Sequence, residues 1–197
     1  MTLFITNANE FYLSIKKQGL LPSPFAICDN QLSLIVGFCN SKTPKTFLTK
    51  ARKVKQFVKQ FIKALGLTPF KVRFNLFGKG IASMYDNGKI VFCKDFLLKQ
   101  PYLESVVCTL HEVAHALIWS NSDYQSLKKC DGVFLSDYVK NPSHVVVCPV
   151  EYYANLITLD WLQKTTQSPL IDQQKRQDLI KILQREKEKL LTAQENV

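Results

Sequence analysis

Two histidines and a glutamate stand together in one short stretch of this chain, His111-Glu112-Val113-Ala114-His115. On an α-helix, residues four apart are neighbours on one face, so the two imidazoles can grip a single Zn²⁺ between them. Glu112 lies one step round the helix and is placed to take the proton of an attacking water rather than to bind the metal. Only three histidines occur in the 197 residues, and two of them make this pattern. The competing reading is coincidence: two core histidines satisfied by ordinary hydrogen bonds.

Two imidazoles leave a tetrahedral site incomplete, since a catalytic zinc needs a third protein ligand and one open position. The continuation HExxHxxGxxH is absent, with Ile118 where the glycine would stand and Asn121 where the third ligand would. His144 is one downstream candidate, in a loop followed by β-branched residues. Glu151 is the better one. It opens a predicted second helix, PVEYYANLITLDWLQ, and Asn155 lies four residues on, facing the same way. A metal-bound imidazole gives its other N–H to a neighbouring acceptor, and Asn155 is suited to accept it from His111. The plain alternative for Glu151 is an acidic residue placed for the helix dipole. A hydrogen-bond donor for the developing oxyanion is also required; Tyr153 and His144, with Tyr152 and Tyr138, are the candidates. Cys108, three residues before His111, reads as a packed small thiol.

These residues need elements to hold them. Leu103–Ser120 carries Val106, Val107, Leu110, Val113, Ala114, Leu117 and Ile118 at helical spacing, without Gly or Pro, just after Pro101. A helix this apolar is mostly buried, and its polar groups require partners. Before it, Phe70–Leu76 alternates as a half-buried strand, and Ile81–Tyr85 and Lys89–Cys93 flank Asp86-Asn87-Gly88 as a hairpin. The Ile81–Tyr85 strand is the one expected to pair with an extended peptide. Thr43-Pro44 predicts the start of a helix that Gly66 ends. Residues 8–18 predict a short amphipathic helix, and Asp29-Asn30 between apolar runs 25–28 and 31–38 suggests a further hairpin. Ser168-Pro169 predicts the start of a charged helix reaching about Leu191, to dock on the domain or on another chain. The elements together predict an α+β fold, with helices covering a small sheet.

Composition is that of a globular chain, 46% hydrophobic and 21% charged, long enough for one well-buried core. The six cysteines show no CxxC pair, and the N-terminus lacks the basic and apolar regions of a signal peptide. No apolar run reaches membrane-spanning length. The expectation is a reduced, cytoplasmic protein. The net charge of +10 is unevenly held: between Asn30 and Tyr85 there are eleven basic residues and no acidic one. Lys50, Arg52, Lys53, Lys55, Lys59 and Lys63 form the basic surface expected on the helix. This 42–79 region suits a nucleic acid or another acidic partner, or is simply a solvated lysine-rich face.

HEVAH followed at a distance by Glu151-Tyr152-Tyr153-Ala154-Asn155 resembles the gluzincin arrangement of metallopeptidases. It is most similar to the ImmA/IrrE family, whose second helix carries an E-x-x-A-N-like signature. The hairpin ending in Lys89-Ile90-Val91-Phe92 is similar to the strand before their active helix. The resemblance covers about residues 45–165. It implies a zincin-like fold, a small mixed sheet packed against helices with an HExxH active-site helix, together with a zinc cofactor and peptide-bond hydrolysis in an intracellular protein substrate; some of those relatives cut DNA-binding regulators. The expected organisation is an N-terminal helix and strand segment over 1–42, a catalytic domain over 43–165 and a charged C-terminal helix over 166–197. A weaker resemblance, from Glu104-Ser105-Val106 through HEVAHAL, is to SprT-like proteases acting on DNA-associated proteins, whose further His after the active helix is missing here. A third expectation is a non-catalytic zinc-stabilised nucleic-acid-binding module.

Overall fold

The structure is a computed structural model and describes residues 23–77, 82–85, 88–121 and 148–195, together with 13, 14, 17 and 20. Most of the 8–18 segment and nearly all of the 121–145 segment lie outside these. The described chain is a helix-rich α+β arrangement: α1 (Asp29–Asn40), α2 (Phe47–Ala64), β1 (Lys71–Asn75), β2 (Ala82–Tyr85), β3 (Lys89–Cys93), α3 (Lys94–Lys99), α4 (Tyr102–Trp119), α5 (Pro149–Gln167) and α6 (Gln173–Glu195).

The sheet order is β1-β3-β2. β2 and β3 form the expected antiparallel hairpin, Tyr85 opposite Lys89, and Gly88 takes the left-handed φ of +71° that its turn demands. β1 runs parallel to β3, Lys71 opposite Lys89 and Asn75 opposite Cys93. Val72 and Phe74 face inward, whereas Lys71, Arg73 and Asn75 are exposed, as the alternation requires. β2 therefore lies at one edge of the sheet, and α4 packs beside it.

α4 is the centre of the molecule. Val106, Leu110, Val113, Ala114, Ala116 and Ile118 are wholly buried along it, and it packs most extensively against α5. An aromatic ladder joins the surrounding helices: Phe38 stacks on Phe57 at 4.1 Å, Phe57 on Phe61 at 5.1 Å, and Phe61 meets Trp161 edge-on at 5.1 Å. The Tyr102 hydroxyl ties α4 to α1, donating to the Phe38 carbonyl at 3.1 Å.

Several expected boundaries are corrected. The 25–38 hairpin does not form; Asp29-Asn30 opens α1 instead. Cys28 is the extended residue before the helix, its N–H donates to the Gln31 side chain at 2.9 Å, and Asp29 sits in the first turn. Ile35, Val36, Phe38 and Cys39 then bury one helical face. α2 starts three residues beyond Thr43-Pro44, because Thr46 caps it, accepting from the Thr49 N–H at 3.3 Å. Gly66 ends it with φ +72°. Between β3 and α4 the chain forms the short helix α3. α5 runs to Gln167, past residue 165, and Ser168-Pro169 forms a turn, so α6 begins only at Gln173. α6 docks on this same chain through Leu179, Ile182, Leu183 and Leu190.

Lys50 is also corrected. It is 6% exposed and is no part of a basic surface. Its position falls on the buried stripe of α2, the stem packs inward, and the ammonium donates to the Gln100 carbonyl at 2.8 Å, at the C-terminal end of α3.

Candidate metal centre

α4 carries His111 and His115 one turn apart. α5 opens at Pro149 after an extended Cys148, which places Glu151 in its first turn. The packing of α5 on α4 brings the three side chains together. His111 Nε2 stands 3.2 Å from Glu151 Oε2, His115 Nε2 stands 3.2 Å from Glu151 Oε1, and the two Nε2 atoms are 3.0 Å apart. The three are the one group of His, Cys, Asp and Glu side chains among the described residues whose donor atoms converge closely enough to hold a metal ion.

Hydrogen bonding alone satisfies only part of this triangle. Each Nε2 is either an N–H or a lone pair. If both rings carry the proton there, two donors face each other. If either does not, its lone pair faces a carboxylate oxygen. One cation resolves all three contacts, and the spacing fits: with metal–nitrogen bonds of 2.0–2.1 Å, the edge of a ligand tetrahedron is about 3.3 Å. Two neutral imidazoles and one carboxylate are also the donor set of catalytic zinc sites.

The side chains differ in access. His115 is 8% exposed, His111 21% and Glu151 35%, so the cluster opens towards solvent on the Glu151 side. Burial pushes the Glu151 pKa up, but the imidazole hydrogen bonds and charges outweigh it and hold the carboxyl well below the usual range. Burial pushes His111 down, and Glu151 first, then Glu112 and Glu186, turn the net direction upward.

Glu112 does not enter the triangle. It is 5% exposed, and among the described residues its Oε2 has no hydrogen-bond partner. An unpartnered buried carboxylate oxygen is costly. Burial raises its pKa, more than His111 and His115 lower it. The result is a dehydrated carboxylate held beside the triangle with a free proton-accepting atom.

The other expected site residues fare variously. Asn155 is half-buried on α5 and makes no hydrogen bond to His111. Tyr153 is 3% exposed, its ring edge-on to Tyr152 at 5.9 Å. Tyr152 is fully buried, and its hydroxyl accepts from Gln194 Nε2 at 2.8 Å. His144 and Tyr138 lie outside the described residues. Cys108 is a free thiol outside the triangle, its pKa raised first by burial and then by the Glu112 charge.

One feature was missed from sequence. Glu104 shares the face of α4 that carries Cys108, His111 and His115, and Arg185 of α6 grips it with two hydrogen bonds of 2.8 and 2.9 Å. The only signal was the seven-residue interval from Glu104 to His111, and nothing local pairs it with a residue 81 positions away.

No protein-family model, curated protein or solved structure matches the chain. The functional reading therefore rests on its own residues. Among the described residues no helix is long and apolar enough to cross a membrane.

Proposed function

We propose that this chain is a zinc-dependent endopeptidase with a zincin-like fold, similar to the ImmA/IrrE metallopeptidases. The observation that carries the reading is the convergence of His111, His115 and Glu151 beside the unpartnered buried carboxylate of Glu112. His111, His115 and Glu151 would hold the Zn²⁺. Bound there, it supplies Lewis acidity, polarising a scissile carbonyl and acidifying water.

The chain's own groups do the rest. Glu112 accepts a proton and returns it to the leaving amine, a role suited to a carboxyl whose affinity for protons is raised by burial. β2, at the edge of the described sheet beside α4, is placed to pair with an extended substrate strand. The substrate class proposed is an intracellular protein, a DNA-binding regulator among the candidates.

The test is metal analysis of the purified chain together with hydrolysis of an unfolded protein substrate, comparing wild type with Glu112→Gln. Stoichiometric zinc in both and hydrolysis in wild type alone supports the proposal. Zinc in both with equal hydrolysis, or no zinc in either, refutes it.

A further inference from the structure

The exposed side of α2 has no role in the proposed site, and its charged residues are all of one sign. Arg52, Lys55, Lys59 and Lys63 are all exposed. At 100° per residue, Arg52, Lys59 and Lys63 fall almost in line and Lys55 lies just beside them. They span about 16 Å at 1.5 Å per residue. Among the described residues, none of the four makes an ion pair or hydrogen bond. The lysine and arginine pairs with carboxylates among the described residues lie elsewhere: Lys99–Asp95, Lys164–Asp160, Arg185 with Glu104 and Glu186, and Lys189–Glu186. The sequence offers no local counter-charge either, since no acidic residue occurs between Asn30 and Tyr85.

We infer that this stripe of α2 binds the phosphate backbone of nucleic acid, without sequence preference. The chemistry selects that partner over an acidic protein. Protein interfaces are built on aromatic and apolar anchors and are depleted in lysine. Here the residues between the cations are Gln56 and Gln60, and Leu48 is the one exposed apolar side chain in line with them. Phosphate binding needs only cations free of intramolecular partners, spaced along a line. Reading of bases needs side chains seated in a groove in fixed geometry, which a lysine row on long flexible stems does not provide.

Fluorescence anisotropy of the full chain with a labelled DNA duplex of mixed sequence tests this, over a salt series. Four phosphate contacts predict an affinity that weakens about a hundredfold between roughly 50 and 200 mM salt. They also predict the same affinity for an unrelated duplex. The variant Arg52→Gln/Lys55→Gln/Lys59→Gln/Lys63→Gln should lose most of that binding and flatten the salt slope by about three to four. It should retain the wild-type thermal unfolding midpoint, because glutamine is a comparable helix former. The inference is overturned if the duplex does not bind at the lowest salt, or if the folded variant binds as wild type does. It is overturned equally if a polyglutamate peptide competes as well as unlabelled duplex, which would assign the stripe to an acidic protein. Peptide hydrolysis is not involved in any of these readings, so the proposal stands or falls apart from the metal centre.

Discussion

Glu112 and Glu151 are both glutamates near the same pair of imidazoles, and their surroundings send them opposite ways. Glu151 faces both Nε2 atoms and is held ionised; Glu112 is turned into a drier place, and its proton affinity rises. The two should therefore fail differently. Glu151→Ala should release the metal on dialysis, read as a fall from stoichiometric zinc to near none. Glu112→Gln should keep the metal and lower hydrolysis by roughly a hundred- to ten-thousand-fold, the range for loss of a general base. The cysteines give a check that is independent of the metal. Cys39 is fully buried with its pKa pushed up to about 12, chiefly by that burial, whereas Cys28 is exposed. Brief alkylation of the native protein at neutral pH, followed by mass mapping, should label Cys28 and spare Cys39; equal labelling would contradict the packing of α1. The triangle was legible in sequence because helical periodicity fixes the relative direction of residues four apart, and the first turn of α5 needed only one pairing of helices to bring Glu151 in. Asn155 was not. Its spacing gave the correct side of α5 but not the reach to an imidazole, which depends on how far apart the two helix axes lie.

At the level of elements, α6 is held by two kinds of contact. Its apolar stripe is buried, Leu179 at 0% exposure and Leu183 at 5%. Of its polar ties, Gln194 to the Tyr152 hydroxyl is buried, whereas Arg185 to Glu104 lies at the surface, with the Arg185 side chain 47% exposed. The first kind outweighs the second. Leu179→Ala should cost about 2–5 kcal/mol, and Arg185→Ala less than about 1 kcal/mol, both measured by urea unfolding. The reverse order would mean that α6 is fastened by charge rather than by burial. Docking of α6 on its own chain could not be read from sequence, because its stripe is imperfect and an apolar stripe does not name its partner. The α1 segment was misread for a related reason. A short apolar run flanking Asp-Asn fits a strand or a helix equally, and only the capping at Cys28 and Gln31 decides it. The β2–β3 hairpin was legible because Asp-Asn-Gly turn chemistry is local. The parallel pairing of β1 with β3 is not local, and no residue pattern announces it.

Over the whole molecule, the metal reading makes stability a function of metal supply. The triangle joins α4 to α5, the most extensively packed helix pair among the described residues, so a cation bound there stabilises the folded state alone. At a free metal concentration about a hundred times the dissociation constant, the gain is about 2.7 kcal/mol. A chelator should therefore lower the thermal midpoint, re-added zinc should restore it, and Glu151→Ala should be insensitive to both. The charge of the molecule divides in the same way as its proposed functions. The 30–85 region carries the whole positive excess, while α4 and α5 carry the carboxylates of the centre. Composition made that division visible, yet it placed Lys50 on the surface, since charge counting ignores which stripe of a helix a residue occupies.

The most direct measurement is a crystal structure of the purified chain with anomalous data collected on both sides of the zinc absorption edge. The account predicts one zinc peak about 2.0–2.2 Å from His111 Nε2, His115 Nε2 and a Glu151 oxygen, with Glu112 beside it and unbound. A fully folded chain with no peak there, or a zinc held by other residues, would contradict it.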